Sequence, residues 1–389
     1  MRAPLSLPCY LLALASLSGA EPDPHQKLFD EAKRVVQGLQ ENVLPAPNPN
    51  QETEAELLQD MAHGDKAVDP AFCRRLGLDE LTDRLLPALD VPFRTDKVGG
   101  SLDASRLFLM RGHKLCQKGK VAEGQAWLLK AHRMARRPEA DGNLMCLLTA
   151  IALEQIALSA DGAYVGTWSQ GESQAYVRAL EALPPLPGLR HAVLNDDLSL
   201  NEPTRFRTLL PKLKPLTSAE RRKKLVEHFP GIQNFEPEFL LCYDGMIDNL
   251  TPADWDDLLR NIAGELEPLN AEKLRAFKTR VVAAEDFAKD PAKASNGPTT
   301  PMKKAEAFYL ALLGNPIERV AGMRLDLDLK TQLLKAALQR GAAFDAGDLA
   351  GLASVADGPL KFGATEDGKR RAILAGERGH YFMSLERKR

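Results

Sequence analysis

A carboxylate set inside an apolar stretch is the first group in this sequence with chemical potential. Glu154 follows the run Leu144 to Leu153 and has Ala150, Ile151, Leu153 and Ile156 around it. Buried there, its charged form needs Arg or His as a partner, or its pKa rises. A raised pKa makes a general acid. A partner makes a structural ion pair; either that or a position at the rim of the core is the expectation here. Acid–base chemistry needs a concave pocket that gathers Glu154 with His113 or His132.

The remaining candidates are dispersed. The seven histidines include no His-x-x-x-His pair, and no Cys-x-x-Cys occurs, so neither a metal nor a cofactor is expected. Ser169, in Gly166-Thr167-Trp168-Ser169-Gln170-Gly171, lacks the Gly-x-Ser-x-Gly frame of a nucleophile elbow and is expected to cap a helix. Asp196 and Asp197 either bind a cation or begin a loop. Asp244, Asp248, Asp254, Asp256 and Asp257 form the densest acidic stretch; its spacing is not that of a calcium loop, and Asp254 and Asp257 suit the first turn of a helix. Arg221-Arg222-Lys223-Lys224 points around most of a helix circumference and reads as a solvated face, with an anionic lipid or polymer as the alternative. Cys73, Cys116, Cys146 and Cys242 have apolar neighbours and are expected to be buried thiols, although an exported chain permits disulfides. The catalytic residues stay unassigned.

Such groups must be held by helices, because apolar residues recur at helical spacing almost throughout. Helices are expected over His25–Val43, from a cap at Thr53, over Pro70–Leu76 and Leu78–Leu89, with Val91–Ser101 as a loop. Asp103 is expected to cap a helix carrying Ala104, Leu107, Phe108, Leu115 and Cys116 on one face. Val121–Arg137, Leu144–Ser159 and Ser173–Leu183 follow. Thr217-Ser218-Ala219-Glu220 forms a capping box, and Thr251-Pro252 and Thr300-Pro301 place a cap before a proline. Ala271–Lys289 and Pro301–Leu313 read as helices, the latter closed by Gly314. Arg324–Leu329 reads as helix running to Gly341, despite its strand-like alternation. Leu360–Phe362, Arg371–Leu374 and His380–Leu385 read as a small antiparallel meander.

Within this series, Gly112, Leu115, Gly119, Gly124, Leu128 and Ala131 have a spacing that resembles a tetratricopeptide-type helical hairpin over 103–137. Gly124 stands where alanine is usual, Leu115 where an aromatic is usual, and the closing proline is displaced to Pro138. An ordinary helical hairpin is the alternative. The order of hairpin, apolar helix and Ala179-Leu180-Glu181-Ala182-Leu183-Pro184-Pro185-Leu186-Pro187 is similar to that of a broad group of exported bacterial helical proteins. Their C-termini carry a long helix and a β element like that of secretion-system pseudopilins. Arg340-Gly341-Ala342-Ala343-Phe344 departs from the Tyr/His-Gly-x-Tyr-Pro type of segment expected after the last helix. The resemblance implies a fold and an export route, and no activity.

The first twenty residues read as a signal peptide. Arg2 supplies charge, Leu5 to Leu17 a short apolar stretch, and Ser18-Gly19-Ala20 the small residues before cleavage; an uncleaved anchor is the alternative. No later run reaches transmembrane length, so the mature chain is expected to lack a span. With 51 Lys and Arg against 53 Asp and Glu, the near-balance does not recommend nucleic acid as a partner. The expectation is therefore mainly α: an irregular, solenoid-like multi-helix array with a small C-terminal β element. It divides into 1–20, an N-terminal helical segment 21–100, a central array 101–290 and C-terminal helices with the meander over 301–389. Extended helical surfaces suit an interaction or scaffold role with a protein partner, in the periplasm, attached to the envelope or secreted. The competing reading is an exported hydrolytic enzyme built from distant carboxylates and histidines.

Overall fold

Helix punctuation sets most element starts in the computed structural model, which describes residues 26–41, 53–90, 98–137, 142–195, 206–228, 243–289, 300–344, 348, 360–364, 371–375 and 382–384. Thr53 N donates to Glu56 Oε2 at 2.9 Å and Glu56 N donates back to Thr53 Oγ1, closing a capping box. Ser169 with Glu172, Thr217 with Glu220 and Thr251 with Asp254 repeat the arrangement. Each supplies partners for backbone N–H groups that the first turn leaves unpaired.

The described residues contain fifteen α-helices, and the protein is mainly α. They are α1 (Gln26–Glu41), α2 (Glu54–Ala62), α3 (Pro70–Leu76), α4 (Leu78–Leu85), α5 (Val98–Gln117), α6 (Val121–Ala135), α7 (Leu144–Gly162), α8 (Gln170–Glu181), α9 (Leu189–Asn195), α10 (Phe206–Leu213), α11 (Ser218–His228), α12 (Asp244–Asn249), α13 (Pro252–Glu265), α14 (Ala271–Lys289) and α15 (Pro301–Arg340).

At two places a helix runs through a break expected from the sequence, for a shared reason. α5 begins at Val98, so Gly99-Gly100 lies inside the helix and Asp103 is not its cap. A Cβ on Gly100 would lie 2.6 Å from the Phe29 carbonyl oxygen, so the glycine serves close approach of α1 rather than a turn. α15 likewise continues through Gly314 and Pro316. A Cβ on Gly314 would lie 2.6 Å from Val281 Cγ2 on α14. Proline normally breaks a helix interior, but Leu310, Ile317 and Val320 on either side of Pro316 are buried, and their packing carries the helix across it.

α5 and α6 form a tight antiparallel hairpin turned at Gly119, whose φ is +76°. Its closest approach is at two glycines: a Cβ on Gly124 would lie 2.3 Å from Cys116 Sγ and 2.8 Å from the Gly112 carbonyl oxygen. α7 packs against α5, α6, α9 and α15, which explains how so apolar a helix is accommodated. α15 lies along α14 and also returns to α7 and α8. In a regular solenoid each unit touches only its sequence neighbours, so this return contact departs from that arrangement. A second focus of the core is aromatic. Phe206 meets Trp255 and Phe308, Tyr243 meets Phe308, and Trp255 meets Tyr309, at centroid distances of 4.3 to 5.8 Å.

Candidate functional site

The strongest concentration of charge in the core lies where α6, α7 and α8 meet. Asn143 caps α7, accepting from Met145 N and Cys146 N at 3.1 Å. Along that helix Glu154 and Asp161 are seven residues apart, two turns along one face. His132 and Arg136 are four apart, in the last turn of α6 and just beyond it. A helix C-terminus favours cations there.

The four side chains interlock. His132 Nε2 is 2.8 Å from Asp161 Oδ2, and its Nδ1 lies 3.0 Å from Glu154 Oε2. The second contact is an ion pair whose angles fall outside those of a hydrogen bond. Arg136 Nη2 reaches Glu154 Oε1 at 2.5 Å, and its Nη1 donates to the Pro184 carbonyl at 3.2 Å. From α8, the Tyr176 hydroxyl donates to Asp161, 2.8 Å from both carboxylate oxygens. The side chains of His132, Glu154 and Asp161 are wholly buried.

Carboxylates on both ring nitrogens are best met by an imidazolium, which has two N–H donors and no acceptor. Burial acts to lower the His132 pKa, but the Glu154 and Asp161 charges outweigh it and raise it to about 10. For Glu154, burial acts upward, while His132 and Arg136 together hold the carboxyl below its ordinary value. Burial dominates at Asp161 and raises it, despite His132 and Tyr176. His132 and Arg136 thus stand against the carboxyl groups of Glu154 and Asp161. Glu154 is a paired carboxylate at neutral pH, not the protonated acid that general-acid chemistry requires.

An aromatic stack extends the cluster. Tyr176 meets Trp168 edge-on at 5.0 Å, Trp168 stacks on Tyr164 at 4.4 Å, and Tyr164 stacks on His113 at 5.3 Å. His113 Nδ1 is 2.5 Å from the Tyr164 hydroxyl and its Nε2 is 3.1 Å from the Ala62 carbonyl. His113 is thereby tied to α2 and not brought to Glu154. Beside this stack, burial pushes the Cys116 thiol up to about 11, although Tyr164 and Trp168 act to lower it. That is the opposite of an activated thiolate.

The other sequence candidates resolve into structural roles. Ser169 caps α8. Arg221 is buried, not part of a solvated face, and joins the acidic stretch: it pairs with Asp244 at 3.2 Å and Asp248 at 2.5 Å, and donates to the Leu213 and Lys214 carbonyls. Arg222 and Lys223 are exposed, as expected. Asp254 belongs to the Thr251 cap, while Asp256 and Asp257 pair with Arg207 and Arg260. Among the described residues no group of three or more His, Cys, Asp and Glu is placed to hold a metal ion. Cys73, Cys116 and Cys146 carry thiols. Asp196, Asp197 and Cys242, like the signal segment, lie outside the described residues.

Sequence reasoning missed Arg136, Asp161 and Tyr176. The first two left a signal: His-x-x-x-Arg closing one helix, and a second acid two turns after Glu154 on the next. Tyr176 left none. No known protein family, curated protein or solved structure matches the chain. The likeness to exported helical proteins and to tetratricopeptide hairpins therefore rests on the residues that carry it.

Proposed function

We propose that this chain is an exported helical interaction or scaffold protein of the periplasm or cell envelope. One observation carries the reading. The densest cluster of titratable groups in the helical core is sealed from solvent and internally balanced, His132 and Arg136 against Glu154 and Asp161. Such a cluster fixes how α6, α7 and α8 sit together and presents no group to a substrate. The tight Gly112–Gly124 hairpin, a geometry shared with protein-binding helical repeats, supports the same conclusion.

The finer architecture belongs to this reading. An irregular helical array is followed by a β appendage, for which antiparallel pairing of Leu360–Ala364 with Arg371–Ala375, and of Ala372–Leu374 with Phe382–Ser384, is the support. The leader-like start supports export. Intact mass of the envelope-derived protein is expected to begin at Glu21, and a cytosolic species retaining Arg2 contradicts export. Cross-linking of the mature protein in its own envelope fraction tests the role. Recurrent cross-links from exposed helix faces to one protein are expected. Self-links alone, together with hydrolytic turnover that Glu154→Gln abolishes, contradict the scaffold reading.

A further inference from the structure

We infer that α1 is an acid-tightened clasp on α5, governed by the buried carboxyl of Asp103. α1 rests on α5, α2 and α4. Its contact with α5 is close enough that Gly100 has no room for a Cβ, which would lie within 2.7 Å of both the carbonyl oxygen and Cβ of Phe29. Asp103 follows Gly100 by three residues, so the two share a face of α5. It is 8% exposed. Among the described side chains, α1 buries only Phe29, Ala32 and Val36, all apolar, and its ion pair to α4, Glu31 with Arg84 at 2.9 Å, is open to solvent. The Lys33 charge on α1 acts on Asp103, which places this carboxyl at the α1 contact.

The charges acting on Asp103 are Arg106 on α5 and Lys33 on α1. Arg106 Nη1 meets Asp103 Oδ1 at 3.0 Å, while the buried Arg106 Nε has no hydrogen-bond partner among the described residues. Burial outweighs both cations and raises Asp103 from 3.8 to about 6. His63, at the end of α2, feels the Arg106 charge as well; burial and then Arg106 lower its pKa, with Asp65 acting to raise it.

The direction follows from linkage. Between pH 3.8 and about 6 the docked state keeps a proton on Asp103 that the undocked, hydrated state releases. Docking is therefore tightest in acid and weakens as pH rises through that window, with no further loss above it. The two pKa values limit the change to about a hundredfold in the docking equilibrium. His63 works in the opposite sense, since acid protonates it more readily when exposed. Loosening uncovers the Gly100–Ala104 face of α5.

Amide hydrogen exchange of the full chain between pH 4 and 7, corrected for intrinsic rates, reads this out. Protection of the 26–41 amides is expected to fall between ten- and a hundredfold across that range while α7 amides hold. In Asp103→Asn, which keeps the neutral side chain at every pH, the fall is expected to be absent, and the opposing effect of His63 leaves α1 protection level or rising with pH. Constant α1 protection in the wild type overturns the clasp. So does a fall shared in proportion by α7, which marks global unfolding, or an equal fall in Asp103→Asn, which assigns the effect to another group.

Discussion

His132 donates from Nε2 to Asp161 Oδ2 at 2.8 Å, and neither side chain reaches solvent. An imidazole so placed, with Glu154 at its other nitrogen, carries a charge that the folded state holds far more firmly than the unfolded chain does.

The pH dependence has a definite sign. The His132 pKa is about 10 when folded and 6.5 otherwise. The stability it contributes is fully present below 6.5 and is lost as pH rises through about 10. Glu154, held below its ordinary value, contributes stability that is lost as pH falls through its folded pKa. The His132 ring resonances are expected to stay imidazolium-like at pH 8. A ring that titrates near 6.5 in the folded protein contradicts the pairing.

Tyr176 supplies the neutral donor to Asp161. Tyr176→Phe keeps the ring against Trp168 and removes only the hydroxyl, leaving Asp161 short of a partner. A loss of about 1–3 kcal/mol is expected from urea unfolding. An unchanged midpoint means that the hydroxyl contributes nothing.

The hairpin glycines are distinguishable from others in helices. Gly124→Ala puts a methyl into Cys116 and the Gly112 carbonyl and is expected to cost about 1–3 kcal/mol. Gly171, in α8, has nothing within 4 Å of a new Cβ, so Gly171→Ala is expected to stabilise by roughly 0.4–1 kcal/mol. Equal melting temperatures for the two variants contradict the close approach of α5 and α6.

Leu128 is fully buried in the same hairpin, facing Gly112. Leu128→Ala is expected to cost about 2–5 kcal/mol through the cavity it opens. Ala131→Leu overpacks a site with no exposure and is expected to lower the melting temperature as well. Unaltered melting for both variants places this face outside the core.

Local chemistry made much of the fold legible. Ala271–Lys289 and Pro70–Leu76 occur with the boundaries read from the sequence, and Thr53, Ser169, Thr217, Thr251 and Thr300 all cap helices. Reading failed where tertiary packing overrode a local signal. Gly99-Gly100 and Gly314-Asn315-Pro316 look like breaks, yet Gly100 and Gly314 each accommodate a neighbouring helix. The need of Glu154 for a cation was also legible. Its partners were not fully so, because the contact of His132 with Asp161 joins residues on different helices and periodicity describes one helix at a time. Arg221 was misread for the same reason: its burial depends on Asp244 and Asp248 of α12, beyond any local pattern.

The substitution Glu154→Gln, with the Glu154 carboxyl titrated by NMR in the wild type, separates a structural from a catalytic Glu154. It preserves shape and removes the charge that balances Arg136 and His132. The structural reading predicts a loss of about 3–5 kcal/mol, because a buried cation is left uncompensated, and a carboxyl titrating below its ordinary value. A substitution that stabilises the protein, with a Glu154 pKa near neutrality, is the signature of a functional acid held at the expense of stability, and it overturns the structural role of Glu154.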